Sequence, residues 1–225
     1  MSAGEAQAVA TRPLPRGPHH LAREQVVASQ RERMLAAIAQ AVAEKGYAAT
    51  TVGDVVARAG VSRKTFYEHF DDKEECFTAA WDSRVEALLD AIGASSADAG
   101  DPAGRMRMGV RAYLGALADE PAFARSFLIE VVAAGPRAEA RRSRVHGRFA
   151  DLFAALHEQS RREDPQLPAV PATVCRAAVG AINEVVSDHV RAGRAADLLE
   201  LEDEIVYLVL VLFAGHDAAA AATGG

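Results

Sequence analysis

Arg63, Lys64, Thr65, Tyr67 and His69 crowd one short stretch of the chain, and each ends in a group able to donate to phosphate oxygens or to base edges. Two long cations suit guanine edges or phosphates. A threonine offers both a hydroxyl and a methyl, and a phenol and an imidazole suit phosphate oxygens. Taken alone, such cations are ordinary solvated surface charge. The residues before them raise that reading. Thr51 and Asp54 are spaced to cap a helix start reciprocally. Gly60 accepts the positive φ of a tight turn, Val61 plugs the angle between two helices, and Ser62 stands where the next helix needs a cap. Phe66 and Phe70, one turn apart, anchor that helix inward and leave Arg63, Lys64, Thr65 and Tyr67 facing out. Lys73, opening the following helix, adds a cation where free amides already favour an anion.

Catalysis finds less support. Asp71-Asp72-Lys73-Glu74-Glu75 is superficially like the acidic metal-binding run of all-α terpene synthases, but it follows the pattern above directly and reads as the acidic first turn of a helix. His157-Glu158 lacks a second histidine at helical spacing, and Cys76 and Cys175 stand far apart without metal-ligating neighbours. No catalytic residue, metal or cofactor is therefore expected.

The elements that must position these residues follow from a helical period that runs through most of an alanine-rich chain, half of it hydrophobic. A first helix is expected over 26–45, with Met34, Leu35, Ile38, Ala41 and Val42 on one face; short helices follow at Thr51 and Ser62. A long helix carries Phe77, Trp81, Val85, Leu88, Leu89 and Ile92 to a break at 93–104. Further helices are expected over 106–117, 121–134, 138–161, 171–191 and 198–220, about nine in all. Residues 1–24, with Pro13, Pro15 and Pro18 among Arg12, Arg16, His19, His20 and Arg23, read as an extended arm. The formal net charge of −6 speaks against nucleic acid only on average. Between Val26 and Tyr67 the bases Arg31, Arg33, Lys45, Arg58, Arg63 and Lys64 outnumber Glu32, Glu44 and Asp54, whereas Glu200, Glu202, Asp203 and Glu204 crowd the far end. The longest apolar run, 205–215, is about half of the roughly 20 residues a membrane helix needs, and nothing reads as a signal peptide, so a cytoplasmic protein without a membrane partner is expected.

The run Thr50-Thr51-Val52-Gly53-Asp54-Val55-Val56-Ala57-Arg58-Ala59-Gly60-Val61-Ser62-Arg63-Lys64-Thr65-Phe66-Tyr67-Glu68-His69-Phe70, preceded by Glu44-Lys45-Gly46-Tyr47, resembles the DNA-binding signature of the TetR family of transcriptional regulators. The resemblance covers about residues 26–81. It implies an all-α fold: an N-terminal three-helix helix-turn-helix DNA-binding domain over 25–71 and a helical ligand-binding and dimerisation domain over 72–225. It also implies DNA contacts from Thr50, Thr51, Ser62, Arg63, Lys64, Thr65, Tyr67, His69 and Lys73, and an effector cavity near Trp81, Met106, Tyr113, Phe123, Phe127, Phe149, Phe153 and His157.

The segment 205–213 is apolar almost all round and needs cover on several sides. The helix before it carries Val174, Ala178, Ala181, Ile182, Val185 and His189 on one face. Burial inside a monomer would cover such a helix; the resemblance implies instead a four-helix homodimer interface shared with Ile205, Leu208, Val209 and Leu212. The expected function is that of a sequence-specific regulator, a repressor released by a small-molecule effector of unknown identity and bound to a roughly palindromic double-stranded operator. A helical interaction protein that kept the fold without DNA binding is the alternative.

Overall fold

The first helix, α1 (Arg23–Lys45), lays Met34, Ala37, Ile38, Ala41 and Val42 into the core and ends at Gly46, whose φ of 80° breaks the helical path. The computed structural model describes residues 23–97 and 100–224, and no strand occurs among them. Of the expected arm, residues 1–22 lie outside the described residues, and Arg23 and Glu24 already open α1.

α2 (Val52–Ala59) starts at a complete capping box. The Asp54 amide donates to the Thr51 hydroxyl, and the Thr51 amide donates to Asp54 Oδ2 at 2.8 Å. Gly60, at φ 64°, then turns the chain, and the Val61 amide reaches back to the Val56 carbonyl at 3.1 Å. Arg33 Nη1 donates to the Ala59 carbonyl at 2.7 Å, which fixes α1 against this turn. α3 (Arg63–His69) is capped by Ser62 and held inward by Phe66 and Phe70, whose rings pack at 5.6 Å. The angle of the reading helix is thus set by caps, one glycine and two aromatic anchors.

The cap also makes a prediction. The Lys45 ammonium, 2.6 Å from Asp54, together with the Thr51 hydroxyl and amide, holds the Asp54 carboxyl well below the usual carboxylate range. A depressed folded-state pKa contributes stability above the unfolded value of about 4 and loses it as pH falls toward the folded value. Asp54→Asn should therefore flatten the loss of stability with acid below about pH 4. Thr51→Ala should lower stability at neutral pH by about 1 kcal/mol. Urea midpoints across pH measure both. An acid limb unaltered in Asp54→Asn would contradict the assignment.

Behind the head run α4 (Lys73–Ala97), α5 (Pro102–Asp119), α6 (Pro121–Arg125), α7 (Val131–Ala133), α8 (Pro136–Glu163), α9 (Ala172–Arg191), α10 (Glu202–Phe213) and α11 (His216–Thr223). α4 and α8 lie parallel, bridged in ascending order by Asp72–Arg137, Asp82–Arg141 and Glu86–Arg148. Two expectations change. The segment 121–134 is not one regular helix: a π turn over Ser126–Glu130 joins α6 to α7. Residues 198–220 are divided, because Ala195–Leu201 is a 3-10 helix and Gly215, at φ 95°, separates α10 from α11. No helix among the described residues is long and apolar enough to cross a membrane.

Candidate functional site

The outward side of α3 is open. Lys64 has a side-chain exposure of 88%, Tyr67 is 55% exposed, and Arg63 is exposed beside them with no ion pair among the described residues. Glu68 is 3.9 Å from Lys64, too far to hold an exposed ammonium firmly. Ser62 Oγ accepts the Thr65 amide at 3.0 Å, and its hydroxyl lies 2.9 Å from that of Thr65. Thr51 is exposed at the start of α2. His69 is half-buried; burial first and the Arg31 charge second push its imidazole pKa down, with Glu68 opposing, so the ring is neutral near pH 7. Arg31, exposed on α1, stacks its guanidinium over Phe70 at 5.4 Å and extends the cationic surface beyond α3.

Two residues expected at DNA sit elsewhere. Thr50 is buried at 2% exposure, and its hydroxyl donates to the Gly46 carbonyl at 2.8 Å, satisfying the frayed end of α1. Lys73 turns inward: Nζ donates to the Tyr47 and Thr50 carbonyls, both at 2.8 Å, and lies 4.0 Å from the Tyr47 ring centre. Lys73 thus ties the α1–α2 link to α4. Replacing it with Met should leave the Thr50 carbonyl without its donor, while the Tyr47 carbonyl keeps the Thr50 amide at 3.2 Å, and cost about 1–3 kcal/mol, with little change in how DNA affinity depends on salt. Thermal unfolding and a salt titration separate the roles, since a shallower salt slope at unchanged stability would return Lys73 to phosphate.

Tyr47 has a second tie. Its amide donates to Glu130 Oε2 at 2.9 Å, and that buried carboxylate also lies 3.2 Å from Arg125. Glu130 ends the π turn that places Phe127 in the wall of an internal cavity. One short segment therefore touches both the reading head and the cavity.

The cavity, about 60 Å³, lies between α4, α5, α8, α9 and α10. Met106, Tyr113, Phe127, Phe149 and Phe153 line it. Trp81 and Phe123 do not; their rings pack on Phe127 at 5.4 Å each and support the wall from behind. His157 faces a separate small cleft, with Nε2 2.8 Å from the Pro168 carbonyl and its ring edge-on to Phe213. Ile182 and Ile205, expected at a partner, line the cavity instead, while Ala178 and Val209 are buried in the core. Val185 and Leu212 face solvent at 37% exposure each, as do Tyr207 and Val211. Val174, Ala181, His189 and Leu208 are half-buried beside them. Sequence reasoning missed His146 and Asn183 in the cavity wall; each interrupts the apolar face of its helix, which was the available signal.

Residues 34–80 match the pattern of the bacterial regulatory proteins of the tetR family. The HTH-type transcriptional activator FasR of Mycolicibacterium smegmatis is 29% identical over 84 residues, which span 37% of this chain and only 38% of that protein. Among solved structures, the fatty acid degradation regulator FadR from Bacillus halodurans is similar in fold at a TM-score of 0.73, with 20% identity over 80% of this chain and 94% of that one. The transcriptional regulator FadR from Bacillus subtilis in complex with stearoyl-CoA follows at 0.71, with 16% identity over 81% and 97%. A tetR-family regulatory protein from Rhodococcus RHA1 gives 0.60, with 26% identity over 79% and 96%.

Proposed function

We propose that the chain is a regulator of the tetR type, a cytoplasmic homodimer that binds a roughly palindromic operator and is released from it by a long-chain acyl ligand. The observation that carries the DNA reading is α3 itself: a doubly anchored helix presenting Arg63 and Lys64 to solvent from its first turn and Tyr67 from the next. Acidic residues elsewhere offset these cations in the total, and on this face Glu68 approaches Lys64 only loosely, at 3.9 Å.

The ligand class is supported by an apolar cavity together with fold-level likeness to a protein whose structure holds stearoyl-CoA. At about 60 Å³ the cavity is far below the roughly 300–1,000 Å³ of an occupied ligand site. Its walls must part to admit a ligand. Phe127 is one of those walls, and Glu130, three residues on, holds the Tyr47 amide of the head. A ligand that displaces Phe127 therefore favours a different placement of the reading heads, and it weakens DNA binding to the extent that it prefers that state.

Footprinting on DNA flanking the protein's own gene, with and without palmitoyl-CoA, tests the reading. A symmetric footprint lost on adding ligand is expected; no specific footprint would overturn the DNA assignment. The resemblance to an activator supports a second reading, in which the ligand leaves the regulator bound and promotes transcription. Transcription from the footprinted promoter in a purified system distinguishes the two by the sign of the ligand's effect.

A further inference from the structure

The polar side chains of the cavity are not scattered. Tyr113, His146 and Asn183 are the polar residues among its lining, and they collect at one end. α5 and α8 run antiparallel along the cavity: Tyr113 meets Phe149 edge-on at 5.9 Å, whereas Met106 and Leu156 together form the far end and continue into the adjoining cleft. His146 on α8 and Asn183 on α9 stand together in the cavity wall, near enough for the Asn183 amide to act on the His146 imidazole. Arg142 lies one helical turn before His146, and its Nε is buried with no hydrogen-bond partner among the described residues. A buried donor left unpaired is costly unless an acceptor arrives. The polar side chains of the far cleft are engaged within the protein: His157 meets the Pro168 carbonyl, Ser160 donates to the Leu156 carbonyl at 3.1 Å, and Arg105 is ion-paired with Glu163. An amphipathic ligand thus has one end at which its polar group finds open partners. From His146 to Leu156 the wall extends about 15 Å along α8, an elongated apolar track rather than a round pocket.

We propose that His146 and Asn183, with Arg142 behind them, bind the acyl carbonyl of a long-chain carboxylate or thioester, and that the chain runs along α8 toward Met106 and Leu156. The inference rests on the ligand class proposed above and adds the ligand's orientation and the group that is recognised. With its carbonyl oxygen turned to His146, Asn183 retains two N–H donors for the acyl oxygen. The carbonyl end lies on the Phe127 side of the cavity, beside the π turn that reaches the head.

Three probes with one chain length test it: palmitate, palmitoyl-CoA and S-hexadecyl-CoA, a thioether that differs from palmitoyl-CoA only in lacking the carbonyl. Titration calorimetry on the full chain should give palmitoyl-CoA or palmitate an affinity about tenfold above the thioether, the scale of one or two buried hydrogen bonds. The tighter of the two names the source as thioester or carboxylate. Asn183→Leu and His146→Leu should each bring the ratio close to one, with circular dichroism showing that the helices persist. Asn183→Ser, which keeps a donor, should recover part of the preference. Equal binding of thioether and acyl ligand by the unaltered protein, or a ratio unmoved in both Leu variants, overturns the carbonyl site while leaving the acyl class standing. Failure of all three probes to bind overturns both.

Discussion

Leu212→Glu is expected to convert the proposed dimer to monomer and to abolish operator binding while leaving the reading head intact. α10 has two faces. Ile205, Val206, Val209, Leu210 and Phe213 are buried within the subunit, whereas Tyr207, Val211 and Leu212 remain 37% exposed, with Leu208 beside them. On α9, Val185 shares that exposure next to the small Ala181. One exposed aliphatic residue means nothing, but an apolar face across two neighbouring helices calls for cover. The cover that accounts for a two-fold reading protein is a second copy, because an isologous contact sets two α3 helices in the symmetric relation that a palindromic operator requires. A carboxylate at position 212 would be carried into that contact without a partner, which costs several kcal/mol. In the free subunit the same carboxylate stays partly solvated, so the fold survives. Val209→Glu is the contrast: that side chain is fully buried within the subunit and should unfold it. Sedimentation velocity beside an operator titration is the measurement. A Leu212→Glu protein that remains dimeric, or a monomer with the affinity of the parent, would rule out this face.

The division of α10 also shows where sequence stops being informative. Its apolar residues occur all round the helix, so the pattern predicted burial on several sides but gave no means of distinguishing the side that meets the cavity, the side that meets the core and the side that meets a partner. Ile182 and Ile205 turn to the cavity, which that pattern does not distinguish. The head was legible because its geometry is local: Thr51 with Asp54, Gly60, and Ser62 with Thr65 are short-range arrangements whose chemistry is written at fixed spacings. The inward hydrogen bonds of Lys73 and Thr50 are not legible within the same motif, because their partners, the carbonyls of Gly46, Tyr47 and Thr50, are backbone groups that leave no trace in residue type. The π turn was hidden too, since Ser126–Glu130 is composed of residues that an ordinary helix would hold. His146 and Asn183 were readable as polar interruptions, but their meeting depends on how α8 and α9 pack.

Arg63→Ala should produce the largest loss of operator affinity of any substitution confined to the head's surface. Arg63 is the first residue of α3, directly after the Ser62 cap, where a helix entering the major groove brings its side chains to base edges. No carboxylate pairs with its guanidinium among the described residues, so its donors need not be withdrawn from an ion pair before they meet a base. A bidentate contact to one guanine contributes about 1–3 kcal/mol of discrimination. A two-fold dimer would make that contact twice. Two independent half-sites add, giving about 2–6 kcal/mol, or a loss between roughly 30-fold and more than 10,000-fold. Lys64, exposed and only loosely near Glu68, should lose less on substitution, since a flexible ammonium gives up more of its freedom for each hydrogen bond formed. The diagnostic lies in the ratio between operators. Arg63→Ala should bind the natural operator and one altered at a single symmetric base position almost equally, whereas the parent should separate them strongly; Tyr67→Phe should weaken both alike by removing a donor to phosphate. Titrations at several salt concentrations complete the test. If Arg63→Ala lost affinity equally on every sequence and its salt slope became shallower, Arg63 would be a phosphate contact, and the base-reading role would have to pass to Lys64 or Thr65.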